Sequence, residues 1–328
     1  MSNLTQQKAQ IVKDAIRRFN HLPNRTIARH ILHTYGPLFD NNLEAIRGRI
    51  RYYTGKGGDR KRSEAGDKSL FRDTPKLFPQ TWRKIRTPYV LQPGLWLVLS
   101  DAHIPFHEPV PLRSAVDYGK VQGATGILLN GDWQDCAALS YWPTVKRRFH
   151  EEVGLVIDSL DWLRGEFPKA KIVYKPGNHE YRLPRYFLEH APDLIESPLA
   201  AMESVIGFEE RKIDFLDYHQ MVMAGDLPIL HGHELQNLAR TVNPARGLFL
   251  RAKTFAACSH CHSTSEHSTR DINGQLLTTW SFGCLCDLSP DYNPFGNDWN
   301  WGFGLIEVRD KGDFEVQNLR ILPNGKVR

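Results

Sequence analysis

Near the N-terminus, apolar residues recur with helical spacing. Ile11, Val12, Ala15, Ile16 and Phe19 form one stripe. Ile27, Ala28, Ile31, Leu32 and Tyr35 form a second, which Gly36-Pro37 should close. A third begins after Asn42, a candidate N-cap, and puts Leu43, Ile46, Ile50 and Tyr53 on one face. The opposite face carries Arg47, Arg49 and Arg51. The pattern predicts a small all-α, trihelical domain over residues 1–55. Over 56–92 the periodicity stops and Gly, Lys, Arg and Pro dominate. That stretch reads as a basic linker, partly ordered around Leu70, Phe71, Leu77, Phe78 and Trp82.

From residue 93 to 328 short apolar runs end in polar clusters. LWLVLSDAH, ATGILLNGD, KIVYKPGNHE and LPILHGHE each read as a strand feeding a polar loop. Helical stretches around 111–121 and 151–165 separate the first three. This alternation predicts an α/β domain whose functional groups gather at strand ends along one rim. Beyond 250 the texture is mostly strand: KTFAACSH, QLLTTWSFG, WGFGLIEV and FEVQNLRIL.

Composition excludes some classes and adds one clue. With 41% hydrophobic and 24% charged residues, the 328-residue chain is an ordinary folding sequence. It has no run of 18 apolar residues, so no membrane span is expected, and its first residues lack the apolar core of a signal peptide. The five cysteines are an odd number, which points to reduced thiols in a cytoplasm, bacterial or phage-infected. The net charge of +5 hides an asymmetry: residues 1–87 carry 19 Lys and Arg against 7 Asp and Glu, and residues 88–328 carry 23 against 30. A basic module joined to an acidic one predicts a polyanionic partner, DNA more than RNA, met by Arg47, Arg49 and Arg51 of a helix-turn-helix-like unit. A merely soluble basic tail, or a trihelical interaction domain, is the alternative.

AACSHCHSTSEH, residues 256–267, offers three chemistries. Cys258, Cys261 and His262 match the spacing of a covalent haem site, but a reducing compartment argues against haem. With Cys284 and Cys286 the thiols could form a zinc site. His260 and His262 could instead bind metal without either cysteine. The other loops favour the last reading: Asp101, His103, Asp132, Asn178, His179 and His231 all follow strands, and all are oxygen or imidazole donors suited to Mn, Fe or Zn. In Asp101-Ala102-His103 and His260-Cys261-His262 the donors are two apart, so on an extended segment both would emerge on one side. There are too many for one ion, and the number suits two sharing a carboxylate.

The blocks SDAH, NGDWQD, GNHE, LHGH and SHCH, 29 to 53 residues apart, resemble in order those of the calcineurin-like metallophosphoesterase superfamily. Ser259 stands where that family usually has glycine. The resemblance implies a four-layer α/β/β/α sandwich of two mixed sheets over 93–328 and two divalent transition-metal ions, manganese first, with iron, zinc or nickel as alternatives. It implies that Asp101, His103 and His262 hold one ion, Asn178, His231 and His260 the other, and that Asp132 bridges them. His179 would stand beside the scissile group, oriented by Asp135 or by Glu180. Such a pair binds phosphate oxygens, lowers the pKa of a shared water and orients the hydroxide for in-line attack.

NGDWQDCAA lacks the Arg-Gly that follows this block in serine/threonine protein phosphatases. The basic module points instead to a nucleic-acid substrate, for a nuclease or an end-processing phosphatase of phage type. Lys146, Arg147 and Arg148 are further candidates for phosphate contact. Tyr292, Phe295, Trp299 and Trp301 read as a lid before they read as base stackers. A phosphatase of small phosphoesters or phosphoproteins, and a DNA-binding regulator with an idle phosphoesterase domain, are the competing readings. Oligomeric state has no signal in the sequence.

Overall fold

The computed structural model describes residues 3–55, 87–141, 148–238, 241–290 and 296–328. The chain divides into two compact units, Met1–Lys84 and Ile85–Arg328. The second begins before the expected residue 93. Tyr89 and Leu91 donate backbone N–H groups to Met221 and Met223, both at 2.8 Å, so the end of the supposed linker is sheet. The apolar cluster expected around Leu70–Trp82 lies outside the described residues.

In the first unit, α1 (Asn3–Arg18), α2 (Asn24–Tyr35) and α3 (Leu43–Tyr53) follow the three stripes. Val12, Ala15, Ile16, Ile27, Ala28, Ile31, Ile46 and Ile50 bury together with Phe39. Burying each large aliphatic side chain contributes ~1.5–3 kcal/mol, which is what holds helices this short in place. Helix α2 ends at Gly36, where the chain tightens into a 3₁₀ turn. The Asn42 side chain accepts from the Ala45 N–H at 3.0 Å and starts α3.

The second unit is a four-layer α/β/β/α sandwich. Its strands are β1 (Tyr89–Val90), β2 (Gly94–Leu99), β3 (Gly126–Asn130), β4 (Lys171–Lys175), β5 (Ile213–Phe215) and β6 (Val222–Ala224). They continue as β7 (Leu227–Leu230), β8 (Ala256–Cys258), β9 (Ser265–Arg270), β10 (Leu276–Ser281), β11 (Gly302–Val308) and β12 (Phe314–Arg320). One mixed sheet runs β12-β11-β2-β3-β4-β5, the other β1-β6-β7-β8-β10-β9. Strand alternation divides the core. Trp96, Val98, Leu128 and Val173 face the second sheet, where they meet Val222, Ile229, Ala257 and Phe282. Leu97, Leu99, Ile127, Leu129, Ile172 and Tyr174 face outward, under α4 (Pro109–Gln122) and α5 (Phe149–Glu166). Ala256 and Cys258 of the second sheet pack against Leu248 of α8 (Pro244–Ala252). Between β4 and β5 lie α6 (Arg182–His190) and α7 (Met202–Ile206).

Tyr89 also joins the two sheets: its hydroxyl donates to Asp214 of β5 at 2.6 Å. Among the described residues, no helix is long and apolar enough to cross a membrane.

Glu152, in the first turn of α5, is fully buried and accepts from the Ala137 N–H at 3.1 Å, while its other oxygen has no partner. Burial, reinforced by the charge of Asp135, pushes its carboxyl up to about 7. A raised carboxyl costs nothing below its unfolded value and weakens the fold as pH climbs toward the folded one. Glu152→Gln is therefore expected to raise the melting temperature at pH 8, by up to ~3 kcal/mol of stability, and to change little at pH 4.5. Thermal melts at the two pH values check this.

Candidate metal centre

The loops after β2, β3, β4, β7 and β8 meet at one rim. Those after β2 and β3 extend the parallel pairing beyond the strands: Asp101 N–H reaches Gly131 O at 3.1 Å, His103 N–H reaches Asp132 O at 2.9 Å and Ile104 N–H reaches Trp133 O at 2.9 Å. The segments are not extended, as the two-residue spacing suggested. Asp101, His103, Asp132, His260 and His262 have φ of 52°, 48°, 51°, 66° and 54°, the left-handed region. Residues with side chains occupy it at a cost on the order of 1–3 kcal/mol each. Each left-handed residue turns the chain sharply and swings its side chain inward, so paired donors converge by backbone reversal rather than by strand alternation.

Glycines supply the remaining clearance. A Cβ on Gly131 would lie 2.2 Å from His231 Nδ1, and one on Gly177 2.2 Å from Asp132 Oδ1. Ser259 needs no left-handed backbone, and its hydroxyl accepts from Asn130 Nδ2 at 2.9 Å. Glycine is not required at that position.

Asp132 is at the middle of the cluster. Its Oδ1 accepts from the His179 N–H at 2.9 Å. Its Oδ2 lies 3.2 Å from His231 Nε2, 3.8 Å from His179 Nε2 and 3.9 Å from His103 Nε2. Asp101 accepts from the His260 N–H through Oδ2 at 3.1 Å and turns Oδ1 toward His262 Nε2 at 3.3 Å. Asp132, His231 and His260 bring donor atoms within 4.8 Å of one another. Six of the seven expected ligands thus crowd together at the rim, and Asn178, between Gly177 and His179 of the β4 loop, has an Oδ1 that is buried without a partner.

The donor set fits cations. Asp101 Oδ1, Asn178 Oδ1 and His231 Nε2 are all buried without a hydrogen-bond partner. His231 gives its Nδ1–H to Asn130 O at 2.7 Å, so Nε2 presents a lone pair to a carboxylate unless it gains a proton or an ion. His103 Nδ1 is held by Asp135 Oδ2 at 2.9 Å, leaving Nε2 facing His262 Nε2 at 3.2 Å. Such contacts are repulsive between bare nitrogens, and a metal ion relieves them.

The electrostatics agree. Burial raises the carboxyl of Asp132, but His231 and His179 more than offset it and hold it well below the ordinary value. Burial disfavours charge on His231 and His262, yet Asp132 and Asp101 push them up to about 10 and about 9. His260 falls to about 3, through burial and the charge of His231. In the metal-free protein, protons on His231 and His262 occupy places that a cation would take, so loading releases protons and weakens as pH falls.

His179 gives Nδ1–H toward Asp135, with Oδ2 at 3.1 Å and the backbone O at 3.0 Å. The same carboxylate therefore contacts both His103 and His179. Glu180 does not orient His179. Its carboxylate collects the N–H groups of Asp132, Gln134 and Gly177 at 3.1, 3.1 and 2.8 Å, and the Tyr174 hydroxyl at 2.7 Å. Two further residues escaped the sequence reading. Arg182 donates to Asp135 Oδ1 at 3.2 Å, and its Nη2 lies 3.2 Å from His179 Nε2. Lys175 is wholly buried against Glu234, and the signal for it was a lysine ending an apolar strand.

The remaining candidates are more dispersed. Cys258, Cys261, Cys284 and Cys286 are free, buried thiols, and among the described residues no three of them come within 4.8 Å of one another. Cys286 Sγ lies 3.9 Å from His262 Nδ1. The Trp299 ring meets the His262 ring edge-on at 4.2 Å, and Trp301 donates to Cys286 O at 2.9 Å. Arg47 pairs with Glu44, and Arg51 lies 3.9 Å from the same carboxylate; Arg49 is partly exposed. Arg148 is exposed at the start of α5. Lys146, Arg147, Tyr292 and Phe295 lie outside the described residues.

No family model and no curated protein matches the chain. Among solved structures it is similar to a single-mutant Vps29 from Entamoeba histolytica, at 12% identity over 71% of this chain and 97% of that one, TM-score 0.37. It is also similar to a dimetal phosphatase from Danio rerio, at 12% identity over 67% and 94%, TM-score 0.33. A third is Yfce, a phosphoesterase from E. coli, at 12% identity over 68% and 98%, TM-score 0.30. Likenesses this remote leave the site to be judged on its own side chains.

Adding Mn²⁺ to metal-free protein is expected to raise its melting temperature, because an ion bound only by the folded state stabilises it by mass action. Asp132→Asn should abolish most of that rise, as read by differential scanning fluorimetry with and without EDTA.

Proposed function

We propose that this chain is a dinuclear-metal-dependent phosphoester hydrolase acting on nucleic acid, as a nuclease or end-processing phosphatase, with manganese as its native ion. The observation that carries the reading is Asp132: one buried carboxylate oxygen within 3.9 Å of imidazole nitrogens arriving from the loops after β2, β4 and β7. Asp101, His103 and His262 would hold one cation, and Asn178, His231 and His260 the other.

When bound, two such ions stabilise phosphate charge and make water acidic enough to attack at neutral pH. The protein's own contribution is charge balance and geometry. Asn178 adds an oxygen without a charge, so the ligand set brings only the two carboxylates of Asp101 and Asp132 and leaves a positive site for phosphate. His179 faces the same space through Nε2. Burial opposes its protonation, but Asp132 and Asp135 raise its pKa above the ordinary histidine value. A proton on Nε2 is then available to the departing oxygen, while Asp135 fixes the ring through Nδ1.

Nucleic acid as substrate is supported by the excess of 19 basic over 7 acidic residues in positions 1–87, which include the trihelical unit. Phosphate contact there falls first on Arg49, because Glu44 already engages Arg47 and Arg51. The full chain with Mn²⁺ is expected to hydrolyse bis-p-nitrophenyl phosphate, and His179→Ala to lower kcat by ~10²–10⁴-fold. DNA binding by the same protein should weaken steeply with salt and survive Asp132→Asn. Turnover without DNA binding would leave a small-phosphoester phosphatase. DNA binding without turnover under any divalent metal would leave the idle regulator.

A further inference from the structure

The proposed centre has a mechanical problem. Asn178 follows β4 of one sheet and His231 follows β7 of the other, and among the described residues no β-ladder joins the two sheets. Two donors to one ion must nevertheless be held within a few tenths of an ångström. The β3 loop is tied across the gap directly: Asn130 donates to Leu230 O at 2.9 Å and accepts from His231 Nδ1 at 2.7 Å. The β4 loop is held to the β3 loop by Glu180 and by the His179 N–H on Asp132, and Lys175 ties it across the gap itself.

Register places this lysine between the sheets. In β4, Ile172 and Tyr174 face the helices and Val173 faces the opposite sheet. Lys175 shares the parity of Val173 and so enters the space between the sheets at its rim. Its side chain is 0% exposed, and its Nζ donates to Glu234 Oε1 at 2.7 Å. Glu234 is itself anchored to the His231 turn. Its Oε2 accepts from the Gly232 N–H at 2.7 Å, and its Oε1 from the His231 N–H at 3.4 Å.

A buried ion pair is a poor way to gain stability, because apolar residues of the same volume do as well or better. What it adds is direction: a short, charged link of fixed length. We infer that the Lys175–Glu234 pair is a positioning device that sets the Asn178 arm of one sheet against the His231 arm of the other, and so creates one of the two metal sites. Neither residue touches substrate. The inference rests on the dinuclear reading above and concerns one site of the two, because Asp101, His103 and His262 are reached without it.

The test uses the full chain and Mn²⁺ alone, followed by metal analysis after gel filtration and by electron paramagnetic resonance. Wild type should hold two ions with an exchange-coupled signal. Lys175→Met with Glu234→Leu removes both charges together, so no unpaired ion is left buried. This variant should keep its circular dichroism and one ion, bind the second ~10–100-fold more weakly, and show the hyperfine pattern of isolated Mn²⁺. Glu234→Asp, which keeps the charge but shortens the link, should show the same loss to a smaller degree and serves if the double variant does not fold. Two ions bound by either folded variant with wild-type affinity and coupling would overturn the inference. A wild type that binds no metal would overturn the dinuclear reading instead.

Discussion

Asp101 and Asp132 are carboxylates with almost no access to water, 0% and 1% exposed, and they share one small volume. Two negative charges placed there repel each other and lose their hydration, so the arrangement stands only if positive charge is supplied beside them. Imidazoles from several loops do this with protons, and divalent ions would do it with more charge at shorter range. The rest of the rim can be understood as what brings those partners in. Glu180 gathers amide hydrogens from the loops after β3 and β4, Asp135 holds His103 and His179, and Asn130 fixes the ring of His231.

This requirement also explains where the backbone departs from regularity. Five donor residues adopt left-handed φ, and Gly131 and Gly177 sit where any side chain would collide with a ligand. Local strain is tolerated because the sheets behind it are packed on both faces. Trp96, Val98, Phe282 and Ile229 fill one layer, and Leu97, Leu129 and Leu160 fill the next. A firm core is therefore a precondition for the awkward turns at its edge.

Much of this was legible in the sequence. Short apolar runs stopping at polar clusters located β2, β3, β4 and β7, and helical stripes located α1 to α3, because those patterns depend on burial alone. The donor residues were legible because their chemistry is distinctive and each follows a strand. The manner of their convergence was not: alternation along an extended chain suggested one geometry, and left-handed turns at Asp101, His103, His260 and His262 produce another. Glu180, Arg182 and the Lys175–Glu234 pair were missed or misassigned because their partners are distant in sequence or are backbone groups, which carry no letter. Arg47 and Arg51 looked free on a helical wheel, but Glu44 lies one turn from the first and two turns from the second on the same face.

Tyr89 and Val90 form the outermost strand of their sheet, joined to β6 over two residues, and the Tyr89 hydroxyl fastens the same point to Asp214 at the margin of the other sheet. The first strand of the sandwich thus closes one border of it and bridges to the opposite sheet, while the ligand-bearing β3, β7 and β8 lie inside their sheets, away from that seam.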